Sequence, residues 1–420
     1  MALVILEKVL YAVFRERKSA DSFLSTYFRT DHRIGSRDRK FYGELVFSVL
    51  RWYGVLSRAF GAREKSLTFY AGAVCCAGDF PAEELRIFLE ELSLPPETQF
   101  PGGNFRERLD SFLCFCGEAA TVDQELFGDL FYKHIPFEAN PDFVERMQSR
   151  PPLWLRCQKK SREKVLKALR EMEFPIVEHP FVREALAVCG EKRLNLQEFA
   201  CYRNGEVEVQ DLSSQAIGLC APAGKDQLWW DCCAGGGGKT LLLGTLLQEK
   251  GGGKIISSDI RAWKLEELLH RAGRSRLHNI STCVWNGETV LPDEKFREHF
   301  DGVLVDAPCS SSGRWRRNPE GRFLLTEEEL FSIVHLQYSI LSCAAQAVKK
   351  GGLLLYGTCS FFQCENEGNV QRFLAEHNDF ELEAFPHPLT GKMTDGMMRV
   401  IPSANPDCDG SFCARFRRKK

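Results

Sequence analysis

The second half of the chain predicts a doubly wound α/β sheet, and three observations carry that expectation. From about residue 206 onward, short apolar runs alternate with longer helical stretches in the βαβ manner. The first of these runs leads into Gly235-Gly236-Gly237-Gly238-Lys239-Thr240, a glycine turn placed to open a helix. Two later runs end in cysteine motifs, Asp306-Ala307-Pro308-Cys309-Ser310 and Gly357-Thr358-Cys359-Ser360. In an open α/β sheet, ligands bind outside the carboxyl ends of the strands, so both thiols are expected at one functional edge.

The elements follow in order. Residues 1–140 read as an all-helical domain: Leu6, Val9, Leu10 and Val13 share one helical face, as do Phe41, Leu45, Val46, Val49 and Leu50. The stretch 95–103 reads as a loop. Residues 141–205 read as a small basic α+β subdomain, with a strand at 151–156, an amphipathic helix at 161–172 opened by a cap at Ser161, and extended chain at 180–188. In 206–420 the pattern gives a strand at 228–230 leading to Asp231, a helix at 241–248, a strand at 254–258 closed by Asp259 and a helix at 264–271. Strands at 280–284 and 302–305, a long helix at 327–349 and a strand at 352–356 complete it.

Composition narrows the class. A chain of 420 residues with 44% hydrophobic and 27% charged residues is that of a soluble globular protein of two or three domains. No apolar run approaches a membrane span, and the opening Ala2 to Leu6 run is interrupted by Glu7 and Lys8 without a signal-peptide pattern. Seventeen cysteines, an odd count without Cys-x-x-Cys spacing, argue against a disulfide framework and a thiolate zinc site. The expectation is a reduced, cytoplasmic, metal-free protein, with nothing requiring more than a monomer.

A net charge of −2 excludes a globally basic nucleic-acid binder, so distribution matters more. Arg156, Lys159, Lys160, Arg162, Lys164, Lys167 and Arg170 form one basic group, and Arg314, Arg316, Arg317 and Arg322 another. Basic side chains beside an active edge suit a phosphate-bearing substrate. The tail Arg415-Phe416-Arg417-Arg418-Lys419-Lys420 reads as a solvated face.

Most cysteines are expected to be buried small hydrophobes; Cys75, Cys76, Cys114, Cys220 and Cys343 lie in apolar helical stretches. Cys309 and Cys359 differ, because each follows a strand and precedes small turn-forming residues, where a thiol is open to activation.

The glycine turn has two readings. Gly238-Lys239-Thr240 invites a P-loop ATPase, with Asp306 as a magnesium ligand, but the glycine that pattern requires five residues earlier is Cys233. The alternative is a nucleoside cofactor without a pyrophosphate. Asp231, the turn Cys233-Ala234-Gly235-Gly236-Gly237-Gly238, Asp259 and Asp306 suit S-adenosylmethionine, with Asp259 facing ribose hydroxyls. Asp306 would face the cofactor's ammonium or a base amine.

These residues resemble the RNA (cytosine carbon-5) methyltransferases, in particular the bacterial ribosomal RNA branch with an N-terminal NusB-like domain. The matching stretches are Val209-Gln210-Asp211, Ser213-Ser214-Gln215, Asp231 to Thr240, Asp306 to Cys309, Arg316-Arg317-Asn318-Pro319-Glu320, Leu336-Gln337, Gly357 to Ser360, Glu365-Asn366-Glu367 and Asp409-Gly410-Ser411-Phe412. Asp38-Arg39, Glu44-Leu45-Val46 and Val49-Leu50-Arg51 are similar to the NusB-like part. The resemblance implies a Rossmann-like methyltransferase domain that binds S-adenosylmethionine and methylates RNA, 16S ribosomal RNA foremost and transfer RNA as the other substrate class.

It further implies that Cys359 attacks carbon 6 of the cytosine, Cys309 assists removal of the carbon-5 proton, Asp306 holds the base edge and Lys239 sits near the reacting pocket. Arg156, Lys159, Lys160, Arg314, Arg316 and Arg317 would then meet RNA. Three departures stand out: Gly235-Gly236 where the family has Ala-Pro, Asn286 where it has an acid near the adenine, and Arg314 at a small-residue position. The glycine departures motivate a second expectation, a catalytically weak RNA-binding assembly factor.

Overall fold

A computed structural model describes residues 1–31, 33–60, 88, 90, 103–115, 124–190, 192, 194–287 and 290–420. It divides into two units, Met1–Arg150 with Arg314–Glu327, and Pro151–Gly313 with Glu328–Lys420. The expected cysteines Cys75 and Cys76, and the loop at 95–102, lie outside the described residues.

The first unit is helical, with helices at Ala2–Phe14, Ala20–Thr30, Ser36–Phe60, Phe105–Phe115, Gln124–Phe127, Asp129–His134 and Pro141–Gln148. Both apolar stripes read from the sequence are buried, Leu6, Val9, Leu10 and Val13 on one helix and Leu45, Val46, Val49 and Leu50 on another. Ser19 and Asn140 accept backbone N–H groups at two helix starts, satisfying otherwise orphaned donors. Cys114 lies in a helix as expected but is exposed rather than packed.

The segment Arg314–Glu327 belongs to this helical unit although it follows the first cysteine motif in sequence. Its anchor is Arg322, a buried guanidinium that donates to the carbonyls of Arg51, Leu126 and Met147 and lies 4.6 Å over the Phe127 ring. Burial lowers its pKa to about 9.

The second unit holds two sheets. Four short strands, β1 (Leu153–Cys157), β2 (Ile176–Glu178), β3 (Ala185–Val188) and β4 (Val207–Val209), form an antiparallel sheet in the order β2-β3-β1-β4. Trp154, Ala185 and Ala187 of this sheet share an apolar core with Trp229, Leu243 and Leu355 of the larger one. Of the region expected at 141–205 as a subdomain, residues 151–205 group with the larger sheet in the second unit, and Pro141–Gln148 with the helical one. The helix after β1 runs Arg162–Glu171, and Ser161 makes no side-chain cap because a 3-10 turn holds it in a helical conformation.

The larger sheet comprises β5 (Gln227–Asp231), β6 (Gly253–Asp259), β7 (Ile280–Val284), β8 (Phe300–Asp306), β9 (Val348–Thr358), β10 (Phe380–Leu382), β11 (Met397–Val400) and β12 (Ser411–Arg418). Its order is β10-β12-β9-β8-β5-β6-β7, with β11 also paired to β12. Strands β5 to β9 are parallel; β12 runs antiparallel against β9. The strand order reverses between β5 and β8, so the crevice that favours ligand binding opens above Asp231 and Asp306.

Two expectations are corrected here. The long helix ends at Ala345, not 349, because Val348 already pairs with Phe300 as the start of β9. The basic tail is not a solvated face: β12 is flanked on both sides, with Phe412, Ala414 and Phe416 buried in one core. Arg415, Arg417 and Arg418 are neutralised by Glu383, Asp379 and Glu298.

Candidate active site

Each acidic residue singled out ends a parallel strand: Asp231 on β5, Asp259 on β6 and Asp306 on β8. Thr358 ends β9, and Cys359 follows it. The register pairs Asp306 with Gly357, bringing the two cysteine motifs level on neighbouring strands. As a result Cys309 Sγ lies 3.1 Å from Cys359 Sγ, with Ser311 Oγ 3.5 Å from the latter. Neither thiol is in a disulfide.

Beside them Lys239 Nζ donates to Asp306 Oδ2 at 2.7 Å. Burial works against the Lys239 cation, yet Asp306 and then the charge of Cys359 hold its pKa above the ordinary lysine value. Lys239 is therefore a fixed positive charge beside the thiols. Cys309 is pushed in the direction of a retained proton, first by its hydrogen bond with Cys359, then by burial and by the charges of Cys359 and Glu365.

The loops carrying the thiols rest on a buried polar network that sequence reasoning left without a role. The Glu365 carboxylate, which is fully buried, accepts from the Ser310 backbone N–H at 2.8 Å, from Ser310 Oγ, from Ser360 Oγ and from Gln337 Nε2 at 2.8 Å. Thr358 Oγ1 donates to Asn366 Oδ1 at 2.6 Å, and Asn366 Nδ2 donates to the Ser360 carbonyl. The motifs Leu336-Gln337 and Glu365-Asn366 were visible as matching stretches, but nothing local in them indicates contact with residues as far as 55 positions away.

The cofactor end is built differently. After β5 the chain turns through Gly235 (φ 53°) and Gly237 (φ 84°), and the helix Gly238–Glu249 starts there. Positive φ at both positions explains glycine; at Gly237 a Cβ would also lie 2.4 Å from Leu268 Cγ. The Asp231 side chain is fully buried and accepts from Thr240 Oγ1 at 2.6 Å, while its Oδ1 has no hydrogen-bond partner. Burial first, then the charge of Asp306, raise its pKa to about 7 against the hydrogen bond from Thr240. Asp259 accepts the Gly235 N–H at 3.0 Å and is gripped by both arms of Arg261; those contacts overcome burial and lower its pKa. Cys233, Ala234, Gly235, Gly236 and Gly238 line this turn half-buried, and Asn286 is exposed just beyond β7. An orphaned buried carboxylate oxygen and a ring of small residues fit a cofactor carrying donors, as an ammonium or hydroxyl does.

The basic residues sort into two groups. Lys159, Lys160 and Arg314 are exposed and Arg317 is half-buried. Arg156 and Arg316 are buried, which corrects their assignment to an RNA-facing surface. Arg156 donates to Gln210 Oε1 at 2.7 Å, with its pKa lowered to about 10 by burial. Arg316 donates to the Ser149 carbonyl and hydroxyl. Both serve internal packing, whereas phosphate contact requires an accessible cation.

Residues 219–417 match the sequence profile of the family described as 16S rRNA methyltransferase RsmB/F. Over that region the chain is similar to the RsmB/F family. Over longer stretches the chain is similar to ribosomal RNA small subunit methyltransferase B of Erwinia tasmaniensis, 30% identical over 65% of this chain and 61% of the relative. It is likewise similar to that of Pasteurella multocida, 29% identical over 67% of this chain and 63% of the relative. The chain thus spans under two thirds of the length of these relatives. Among solved structures, PH0851 superposes with a TM-score of 0.74 at 23% identity, covering 100% of this chain and 98% of that one. A methyltransferase homologue from Pyrococcus horikoshii superposes with a TM-score of 0.55 at 23% identity, over 70% and 95%. These likenesses support the fold. The P-loop reading falls: Lys239, which that pattern assigns to phosphate, is paired to Asp306 instead.

Proposed function

We propose that this chain methylates carbon 5 of a cytosine in RNA, 16S ribosomal RNA foremost, through a covalent bond between Cys359 and carbon 6. The observation that carries this reading is the pair of thiols 3.1 Å apart beside the Lys239–Asp306 ion pair at the switch point of the sheet. S-adenosylmethionine supplies the electrophilic methyl group; Asp231, Asp259 and the turn Cys233 to Gly238 would hold it.

Carbon 5 of cytosine is a weak nucleophile until a thiolate adds to carbon 6, and covalent catalysis divides that difficulty into easier steps. Cys359, beside the Lys239 cation, is the better-placed thiolate. Asp306 orients the base edge. Once Cys359 is consumed in a thioether, its negative charge no longer opposes ionisation of Cys309. Cys309 then gives its proton to solvent, takes the carbon-5 proton, and the carbon–sulfur bond breaks to return Cys359 as a thiolate. One proton leaves per methyl transferred. The target base must be unstacked to reach the two thiols, and exposed Lys159 and Lys160 supply cations for its phosphates.

The test is transfer of labelled methyl from S-adenosylmethionine to unmodified small-subunit ribosomal RNA. Label in cytosine that vanishes in Cys359→Ala, together with an RNA adduct stable to denaturing gels in Cys309→Ala, supports the reading. An adduct in Cys359→Ala instead would reverse the two roles. Cofactor binding and RNA binding without transfer on any ribosomal or transfer RNA would favour the assembly-factor alternative.

A further inference from the structure

The Glu365 carboxylate is hydrogen-bonded to both cysteine loops, and nothing in the proposed chemistry uses it. It cannot touch a substrate, since it is fully buried and its two oxygens already take four donors. Those donors come from three separate places. Ser310 immediately follows Cys309, Ser360 immediately follows Cys359, and Gln337 lies on the helix Glu327–Ala345 and also donates to the Pro308 carbonyl at 3.0 Å. The same carboxylate is thus hydrogen-bonded to the residue after each thiol. Neutral contacts add to the tie: Ser312 Oγ to Ser360 Oγ at 3.1 Å, the Phe361 N–H to Ser312 Oγ at 2.8 Å, and the Gly313 N–H to the Cys359 carbonyl at 2.9 Å.

We propose that Glu365 is a positioning residue, a buried anionic clasp that holds the two cysteine loops together and sets the separation of their sulfurs. A carboxylate suits the task better than a neutral acceptor, because charge-assisted hydrogen bonds are about twice as strong as neutral ones. It can also accept four donors across two oxygens. The charge has a second effect: together with that of Cys359, it opposes ionisation of Cys309. The chemistry this serves rests on the methyl-transfer reading above; the clasp itself does not.

The experiment separates the two by needing no RNA and no cofactor. Diamide, a two-electron thiol oxidant, converts the Cys309 and Cys359 thiols to a disulfide while being reduced to its hydrazine. The native chain is expected to close this bond fast because the sulfurs are already adjacent. Glu365→Ala is expected to slow closure roughly tenfold or more, as misplacement of about 1 Å does in other reacting pairs. Glu365→Gln, which keeps the shape and loses the charge, is expected to fall between, with a shifted pH profile of thiol alkylation by iodoacetamide. Ser360→Ala, which removes one donor and leaves the anion, covers the case in which the Glu365 variants do not fold; it is expected to slow closure less. Unchanged closure rates and alkylation profiles in folded variants would overturn the proposal. If closure slows but no RNA is methylated by the native chain, the clasp stands and the methyl-transfer reading fails.

Discussion

The two ends of the candidate site are built on opposite plans. At the thiol end, Glu365, Gln337, Asn366, Ser310, Ser312 and Ser360 fix the reacting atoms through a buried network in which each member answers another. At the glycine end, the turn is held by backbone conformation and by Asp259, whose partner Arg261 is half exposed, and Asp231 keeps an unanswered buried oxygen. Buried polar networks rigidify when fully satisfied and are costly when partly satisfied. One end is therefore paired within the chain, and the other leaves a buried acceptor that a ligand donor could answer.

That contrast can be broken most forcefully at Gly237. Gly237→Ala must adopt φ 84° and place Cβ against buried Leu268; a strained backbone costs about 1–3 kcal/mol, before the clash. The expected result is loss of binding of S-adenosylhomocysteine in calorimetry, with diamide closure of the thiol pair retained. Loss of both together would show that the two ends are not independent.

A middle-sized effect concerns pH. A proton on Asp231, whose pKa stands at about 7, competes with any donor from the ligand. Affinity for S-adenosylhomocysteine should rise about tenfold from pH 6 to pH 8, as one competing proton requires, and Asp231→Asn should flatten the profile. Without ligand the sign reverses. Because this carboxyl is raised above its ordinary 3.8, the unfolded chain sheds the proton first, and Asp231 makes the fold less stable as pH climbs from about 4 to 7. A flat binding profile in the native chain would remove Asp231 from the cofactor site.

The smallest effect is expected at Arg261, whose fork occupies the oxygens that ribose hydroxyls would take. Exposed ion pairs contribute about 0.2–1 kcal/mol, so Arg261→Ala should tighten cofactor binding by no more than about fivefold. Weaker binding in that variant would mean that Arg261 orients Asp259 and does not compete with the ligand.

How much of this was legible in the sequence follows from the range of each interaction. Asp231, Asp259 and Asp306 end strands, and Cys309 and Cys359 follow within three residues of one, so strand ends and site residues could be read together. The antiparallel β12 was not legible, because its second half is dense in arginine, Arg415, Arg417 and Arg418 around Phe416, and their neutralising partners lie elsewhere in the chain. Arg156 and Arg316 were misread for the same reason: what buries them is Gln210 and Ser149, 54 and 167 positions away. The helix boundary at Ala345 was lost because 344–348 holds no glycine or proline to mark a break, and only pairing with Phe300 makes Val348 a strand residue.

The excursion of Arg314–Glu327 has a consequence for how the chain is made. The helical unit begins at the first residue, yet its buried guanidinium anchor, Arg322, emerges long after Arg150. At ordinary rates of synthesis, about 5–20 residues per second, that interval is roughly 10–35 s. During it the carbonyls of Arg51, Leu126 and Met147 that Arg322 will satisfy have no such donor. The helical unit reaches its final form only after the ribosome has passed Cys309, so its completion and that of the catalytic unit are neighbouring events in translation.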